Sequence, residues 1–490
     1  TKEENIQQQL FARTPGRNVM PNLPSYVSEI GYGSLPNLED NEQKFKEKGN
    51  PITYPYLYHI KYNKEIKKAL IETGLDKIFK KTEDFYKLQQ KVHGIANKRM
   101  IEAIRSNPSI IGYCVHALTA GDWVIGAGLL DLWRNPKGEA YYKTKEANQE
   151  KLIVIRTDKR NYYKNENITL NFIGINENNS ENINLDIKIY KGKRIVYKKN
   201  QTKILKKGVI NLFEISFDNF GSGDYRIVAD ILDNKKNIMN SSRTFSVFNE
   251  LKSKKELKVA VLKEDKKIIK FLNRNKISYI KFDKEISKNI PVLIFDNKLI
   301  DKSSKDGNII AESSSNNNIF NRTVKEINEF VSIGGNAIYI NTPARIIRRT
   351  GENLTFQIEG EKVLPMDPVK NISQGLWDGI LHINKKHPIF KGLPVNIPLT
   401  DLYENIGPTV SFRDLKGENI VQTIAFDRIP NGNIMKRNYI GSGDVWSGSD
   451  LSIVDYNNGK MLLSTLKLYE NIGLDPVADK ILFNIINYFN

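Results

Sequence analysis

Strict alternation of apolar and polar residues marks the middle of the chain. It is clearest over residues 183–189, where Ile and Leu alternate with Asn, Asp and Lys. A period of two is that of a β-strand with one buried face and one wet face. The same alternation recurs at 168–172, 213–217 and 225–229, and the glycine-containing turns 191–193 and 221–223 lie between such stretches. The pattern predicts six or seven short strands, forming an immunoglobulin-like β-sandwich over residues 151–250.

From about residue 256 the pattern changes to apolar strands that alternate with helical periodicity. A strand at 257–262 precedes a helical pattern through Ile268 and Leu272, and further strands are predicted at 277–282, 291–295 and 337–340. Thr323 and Glu326 form a capping box for another helix, and Asp475-Pro476 starts the last one. Alternating strands and helices predict a mostly parallel sheet, in an open α/β flavodoxin-like domain over 256–490.

Residues 1–150 are less regular. An extended stretch at 25–30, helical patterns between about 65 and 104, and an apolar strand at 110–115 give only two strand-and-helix units. A closed (β/α)8 barrel usually takes about 250 residues. This segment therefore cannot close a barrel alone.

Composition narrows the function classes. A length of 490 residues favours two to four domains, and 40% hydrophobic with 27% charged residues is typical of a globular protein. The net charge of +18 raises the question of nucleic acid, but no helix gathers the basic residues into a stripe, so we predict no nucleic-acid partner. No apolar run reaches the length of a membrane span.

The chain has a single cysteine, Cys114, so it can form no intrachain disulfide and no cysteine cluster for a metal. It contains no HExxH motif, no cysteine or histidine pair at ligand spacing and no dinucleotide fingerprint. We therefore predict a mechanism without a cofactor or a catalytic metal. The sequence leaves the compartment open: a leader upstream of Thr1 would indicate a periplasmic or secreted protein, and its absence a cytoplasmic one.

The candidate chemistry lies at residues 25–36, SYVSEIGYGSLP, where Glu29 ends a short strand and Gly31 and Gly33 follow it. Barrel enzymes display catalytic groups at the ends of strands, and glycine lets the next loop turn sharply beside a ligand. Glu39 and Asp40 are the nearest rival carboxylates. Taken alone, a Glu before a Gly is better explained by a loop contact or an ion pair.

The run Tyr26–Gly33 resembles the nucleophile segment of family 2 glycoside hydrolases, where a Ser-Glu pair ends the seventh barrel strand. Residues 105–113, RSNPSIIGY, resemble the start of the eighth strand in that family, and residues 136–142 resemble its last helix. The resemblance implies that residues 1–150 are the C-terminal part of a TIM-barrel catalytic domain. It also implies a retaining enzyme for β-linked sugars (β-galactosides, β-glucuronides or β-mannosides) with Glu29 as nucleophile.

The resemblance further implies a sugar subsite lined by His116, Asp122 and Trp123. His116 is as well explained as a core histidine bonded to backbone. The family's acid/base glutamate precedes the nucleophile by several dozen residues, upstream of Thr1, so we expect the chain to work with an upstream half or a companion chain. Carbohydrate is the expected substrate, and the sequence leaves homo-oligomerisation open.

Residues 387–394, HPIFKGLP, resemble glutamine-amidotransferase-like accessory domains of some glycosidases. Working amidotransferases need a nucleophilic cysteine at a strand-to-helix turn, and this domain has no cysteine. We expect it to be structural or oligomerising. The alternative for the whole chain is a non-catalytic glycan-binding or scaffold subunit with a decayed glycosidase fold.

Overall fold

The computed structural model describes residues 24–119, 126–233, 236–295, 325–340, 380–408, 410–413, 415–427 and 444–490, with short pieces at 357–358, 361–362 and 370–373. The chain divides into two compact units. One contains Lys81–Glu250 with the described residues up to Ile60. The other contains Lys61–Lys80 with the described residues from Leu251 onward. No helix within the described residues is long and apolar enough to cross a membrane.

The first unit begins with two parallel strands, β1 (Ser25–Ile30) and β2 (Ile110–Val115), which pair with each other. Both lie where the sequence predicts strands. The helices of this region are α1 (Leu38–Glu47), α2 (Tyr54–Glu72), α3 (Thr82–Arg105) and α4 (Gly138–Ala147). Helix α2 starts well before the predicted boundary near residue 65 and runs across the border between the two units.

One small core holds β1 and β2 against the helices. Ile101 and Ile104 of α3 and Ala147 of α4 pack with Ile30 of β1, and Val27, Ile110, Tyr113 and Val115 complete the cluster. Helices α3 and α4 approach closely at Gly94, where an added Cβ would lie 2.2 Å from the carbonyl oxygen of Glu139. A larger residue at position 94 would therefore push α4 away from the strands.

The rest of the first unit consists of two sheets that share one hydrophobic core. One sheet has the strand order β3-β5-β8, and the other has the order β4-β10-β9-β6-β7. The strands are β3 (Lys151–Thr157), β4 (Asn161–Tyr163), β5 (Ile168–Asn176), β6 (Glu181–Lys191), β7 (Arg194–Leu205), β8 (Gly208–Phe217), β9 (Gly223–Asp233) and β10 (Lys236–Phe248). Each predicted alternating stretch is a strand here, because its apolar side chains fill that core.

Basic residues are concentrated along one edge of the larger of these two sheets. Strand β7 is an edge strand of the described sheet, and its side chains are mostly exposed. It and its flanks carry Lys191, Lys193, Arg194, Lys198, Lys199, Lys203, Lys206 and Lys207. A lysine-rich edge discourages pairing with strands of other molecules.

The second unit contains a mixed sheet. Strands β12, β11, β13, β14 and β23 are parallel neighbours in that order. They are β11 (Leu257–Val261), β12 (Ile277–Lys281), β13 (Val292–Ile294), β14 (Asn336–Tyr339) and β23 (Gly459–Ser464), with α5 (Lys266–Arg274) and the helical residues 325–332, α6, between them. Asp475 caps the last helix, α8 (Pro476–Phe489), by accepting from the Val477 amide at 2.8 Å. Thr323 of the predicted capping box lies outside the described residues.

The other half of this sheet is antiparallel, so the expectation of a mostly parallel sheet is wrong. Strands β22 and β23 are joined by a tight turn at Asn457, which antiparallel pairing allows without a crossover helix. The remaining strands are β15 (Gln357–Ile358), β16 (Glu361–Lys362), β17 (Lys370–Ser373), β18 (Leu381–Asn384), β19 (Ile397–Pro398), β20 (Val410–Arg413), β21 (Glu418–Asp427) and β22 (Asp444–Tyr456). Short helix α7 (Leu468–Asn471) and three 3-10 turns, Leu75–Lys77, Pro388–Phe390 and Asp401–Ile406, complete the unit.

These elements make the chain a mixed α/β protein with several sheets. The barrel, immunoglobulin-like and flavodoxin-like assignments, with their boundaries, stay predictions.

Candidate functional site

The pairing of β1 with β2 brings Glu29 and His116 together. The strands are parallel, so their carboxyl ends meet at one edge, and the His116 amide donates to the Ile30 carbonyl oxygen at 2.7 Å. Glu29 Oε1 lies 3.3 Å from His116 Nδ1. The Glu29 side chain is 54% exposed and that of His116 is 26% exposed. The carboxylate is therefore held beside an imidazole and remains open to a ligand.

The register of the two strands shifts between Val27 and Ile30, which includes the position of Glu29. Such irregularities re-aim a side chain at the end of a strand. Gly31 follows with φ +153°, a conformation that side-chain-bearing residues rarely adopt.

Of the four residues assigned to the site from the sequence, the structure brings together Glu29 and His116. Asp122 and Trp123 lie outside the described residues. The rival carboxylates Glu39 and Asp40 lie in the first turn of α1, where Asp40 forms an ion pair with Lys44 at 2.7 Å. That pair leaves Asp40 engaged with a lysine of its own helix.

A set of side chains on α3 holds the loop that follows Glu29. Asn97 Oδ1 accepts from the Tyr32 amide at 2.9 Å, and Gln89 Oε1 accepts from the Leu35 amide at 3.1 Å. Gln90 Nε2 donates to the Leu35 carbonyl oxygen at 3.0 Å. His93 Nδ1 lies 2.9 Å from Ser34 Oγ. We call Gln89, Gln90, His93 and Asn97 the α3 clamp.

The members of the α3 clamp are buried, which makes their hydrogen bonds costly to lose. Burial lowers the pKa of His93 well below its usual value, and the nearby Lys137 lowers it further. His93 is therefore neutral at pH 7. Its Nε2 makes no hydrogen bond to any described residue.

The α3 clamp is not among the residues predicted from the sequence, although a signal for it exists. Gln89, His93 and Asn97 are spaced by four residues and so lie on one face of a helix. Polar residues in such a row, on a helix whose other positions bury Ile101 and Ile104, indicate a buried polar contact.

Some aromatic and apolar side chains on or near β1 and β2 are packed, and others are exposed. Trp133 packs against Phe45 of α1, with ring centroids 5.2 Å apart. Tyr26 on β1 is 62% exposed, and Ile111 on β2 is 71% exposed. Cys114, also on β2, is exposed. Within the described residues, nothing covers these side chains.

No three histidine, cysteine, aspartate or glutamate side chains among the described residues are placed to hold a metal ion.

No protein-family model matches the chain, and no curated protein sequence matches it. The similar solved structures include a β-D-mannosidase from Dictyoglomus thermophilum, with 15% identity and a TM-score of 0.33, over 48% of this chain and 29% of that one. They also include a β-glucuronidase from glycoside hydrolase family 2, with 17% identity and a TM-score of 0.17, over 19% and 11% of the two chains. A β-glucuronidase from Parabacteroides merdae has 13% identity and a TM-score of 0.16, over 19% and 13%.

The chain thus spans less than a third of the length of each of these enzymes. These three neighbours are β-glycosidases, but TM-scores of this size do not establish a shared fold.

Proposed function

We propose that this chain supplies the nucleophile of a retaining glycoside hydrolase that acts on β-linked sugars. The observation that carries the proposal is the position of Glu29 at the carboxyl end of a parallel strand, exposed and 3.3 Å from His116. The resemblance of Tyr26–Gly33 to the nucleophile segment of family 2 enzymes supports it.

In the proposed reaction Glu29 attacks the anomeric carbon and forms a glycosyl-enzyme, which water then hydrolyses. With its proton on Nδ1, His116 donates to the Glu29 carboxylate and holds it in place. A second carboxyl group about 5 Å away must protonate the leaving oxygen. The resemblance assigns that group to an earlier barrel strand.

The domain proposal follows the same resemblance. Residues 1–150 are the end of the catalytic barrel, and 151–250 form an immunoglobulin-like module. Residues 256–490 form an amidotransferase-like accessory domain without amidotransferase activity. The exposed Tyr26 and Ile111 support the barrel assignment, because in a closed barrel the side chains of further strands would cover them.

The test is to trap the glycosyl-enzyme with 2-fluoro sugars of the three candidate classes, using the complete protein from its host. Mass spectrometry of the digest should find the label on the peptide that contains Glu29. A label on Glu39, Asp40 or Asp122 would overturn the assignment. Sugar binding without labelling or turnover would favour the non-catalytic scaffold.

A matched pair of variants sharpens this test. Glu29→Gln keeps the side-chain shape and removes the attacking charge, so turnover should fall about a thousandfold or more while sugar binding is retained. Glu39→Gln removes the neighbouring carboxylate on α1 and should leave turnover within about twofold. Near-normal turnover in Glu29→Gln would contradict the proposal.

A further inference from the structure

Lys137 is a buried cation, and its side chain contacts the segments that follow β1 and β2. It is 2% exposed, and its Nζ donates to the carbonyl oxygens of Ser34 at 2.6 Å, Gly126 at 3.1 Å and Ala127 at 3.3 Å. An ammonium group has three donors and no acceptor, so these three oxygens use all of its hydrogens. Ser34 belongs to the loop after β1, and Gly126 and Ala127 belong to the segment after β2.

The backbone adds further hydrogen bonds between the same segments. The Ser34 amide donates to the Gly126 carbonyl oxygen at 2.9 Å. The Lys137 amide donates to Leu129 at 2.9 Å, and the Leu129 amide donates to Ala117 at 3.0 Å. A continuous path of hydrogen bonds therefore leads from Ala117, next to His116, through Lys137 to Ser34, in the loop after Glu29.

Three parts of the chain contribute charged or titratable groups near Lys137: the segment before it, α1 and α3. Asp131, in the preceding segment, attracts the ammonium group, and Lys44 of α1 lies 3.9 Å from that aspartate. His93 of α3 is close enough that Lys137 lowers its pKa. Burying an ammonium group is unfavourable, and an apolar side chain of similar length would avoid that cost. The lysine is therefore better explained by what it holds than by packing.

We propose that Lys137 is a positioning residue of the candidate site, which fastens the loop after Glu29 to the segment after His116. Its effect on catalysis rests on the proposed function, but the fastening itself can be measured without any substrate.

The protonation of Lys137 gives a specific signature. Burial lowers its pKa to about 7, from 10.5 in water. If the two segments separate, the ammonium group returns to water and recovers its usual pKa. Between pH 7 and 10.5 the separated state therefore binds more protons than the joined state, so rising pH favours the joined state. The change is at most about tenfold per pH unit, and below pH 7 it stops.

The experiment is hydrogen exchange of the whole chain between pH 6 and 9.5, corrected for intrinsic exchange rates. Protection of residues 31–36 and 126–130 should be flat below about pH 7 and rise above it by up to about tenfold per unit. Lys137→Met should abolish the rise. Lys145→Met, which changes an exposed lysine on the same helix, should keep it. A flat wild-type profile, or the same rise in Lys137→Met, would overturn the proposal.

Two further measurements separate the possible failures. If Lys137→Met does not fold, the wild-type lysine Cε resonance can be titrated directly, and a midpoint near 10.5 would contradict the burial argument. Where turnover is measurable, Lys137→Met should lower kcat more than it raises KM. If the wild-type chain, supplied with the upstream half that carries the acid/base, turns over no glycoside while the exchange signature is present, the fastening holds and the proposed function fails.

Discussion

Asn97 is the member of the α3 clamp that connects the loop after Glu29 with α4, and its removal has a predictable cost. Its Oδ1 accepts from the Tyr32 amide at 2.9 Å, and its Nδ2 donates to Thr144 Oγ1 at 3.1 Å. The side chain is 1% exposed, so water does not replace either partner. Asn97→Leu keeps a similar volume and removes both hydrogen bonds.

The magnitude follows from what each partner loses. The Tyr32 amide would be left without an acceptor at a partly buried position, which costs about 1–3 kcal/mol. Thr144 Oγ1 keeps its bond to the Ala140 carbonyl oxygen at 2.7 Å, so its loss is that of one neutral hydrogen bond, about 1 kcal/mol. The first unit should therefore lose roughly 2–4 kcal/mol of unfolding free energy.

Thr144→Val is the matched control, because it breaks the Asn97–Thr144 bond and leaves the Tyr32 amide paired. It leaves the buried Asn97 Nδ2 without that acceptor, so it should cost about 1–2 kcal/mol, less than Asn97→Leu. The assay is urea unfolding followed by hydrogen exchange in peptides from α3 and β1, which report on the first unit alone. If Asn97→Leu costs no more than Thr144→Val, the Tyr32 amide does not depend on Asn97 and the clamp argument fails.

Two other predictions concern an exposed cysteine on β2 and a buried aspartate in the second unit. Cys114 is exposed on β2, so iodoacetamide should modify it rapidly in the isolated chain. If the barrel half proposed above is added, modification should become at least about tenfold slower, and equal rates would contradict the barrel assignment. In the second unit, Thr423 Oγ1 donates to the buried Asp450 carboxylate at 2.5 Å, whereas Thr465 Oγ1 lies 3.5 Å from it. Thr423→Val should therefore cost about 2 kcal/mol and Thr465→Val less than about 1 kcal/mol, measured by hydrogen exchange of β22, and equal costs would refute this ranking.

Local periodicity predicts much of this fold because the relevant signal is carried by adjacent residues. The alternation at 183–189 gives β6, and Asp475 before Pro476 gives the start of α8. In each case, residues only a few positions apart in the sequence determine which side chains are buried or which free amide is capped. The strand ends at Glu29 and His116 are predictable for the same reason.

Adjacent residues do not determine whether two strands pair in parallel or antiparallel directions. The apolar runs of β21 and β22 fit parallel and antiparallel partners equally well, and only the tight turn at Asn457 and the long antiparallel register reveal the arrangement. The start of α2 is missed because Tyr54, Tyr56 and Tyr58 alternate with Pro55 and Leu57, a pattern that looks extended. Tertiary packing overrides that pattern, as in the edge contact of Tyr56 with Phe45.

The buried polar side chains near the candidate site contact the loop after Glu29 and not its carboxylate, which bears on how Glu29 acts. Every member of the α3 clamp, and Lys137, binds the loop after Glu29 rather than the carboxylate. Buried polar groups are stabilising when they are satisfied, and here backbone atoms, the Ser34 hydroxyl and Thr144 Oγ1 satisfy those of the α3 clamp and Lys137 apart from His93 Nε2. The direction of the strand end is therefore fixed while Glu29 itself keeps His116 as a neighbour and more than half of its surface free. A nucleophile needs both conditions, because a carboxylate enclosed by strong donors would attack poorly and one on a loose loop would be misplaced.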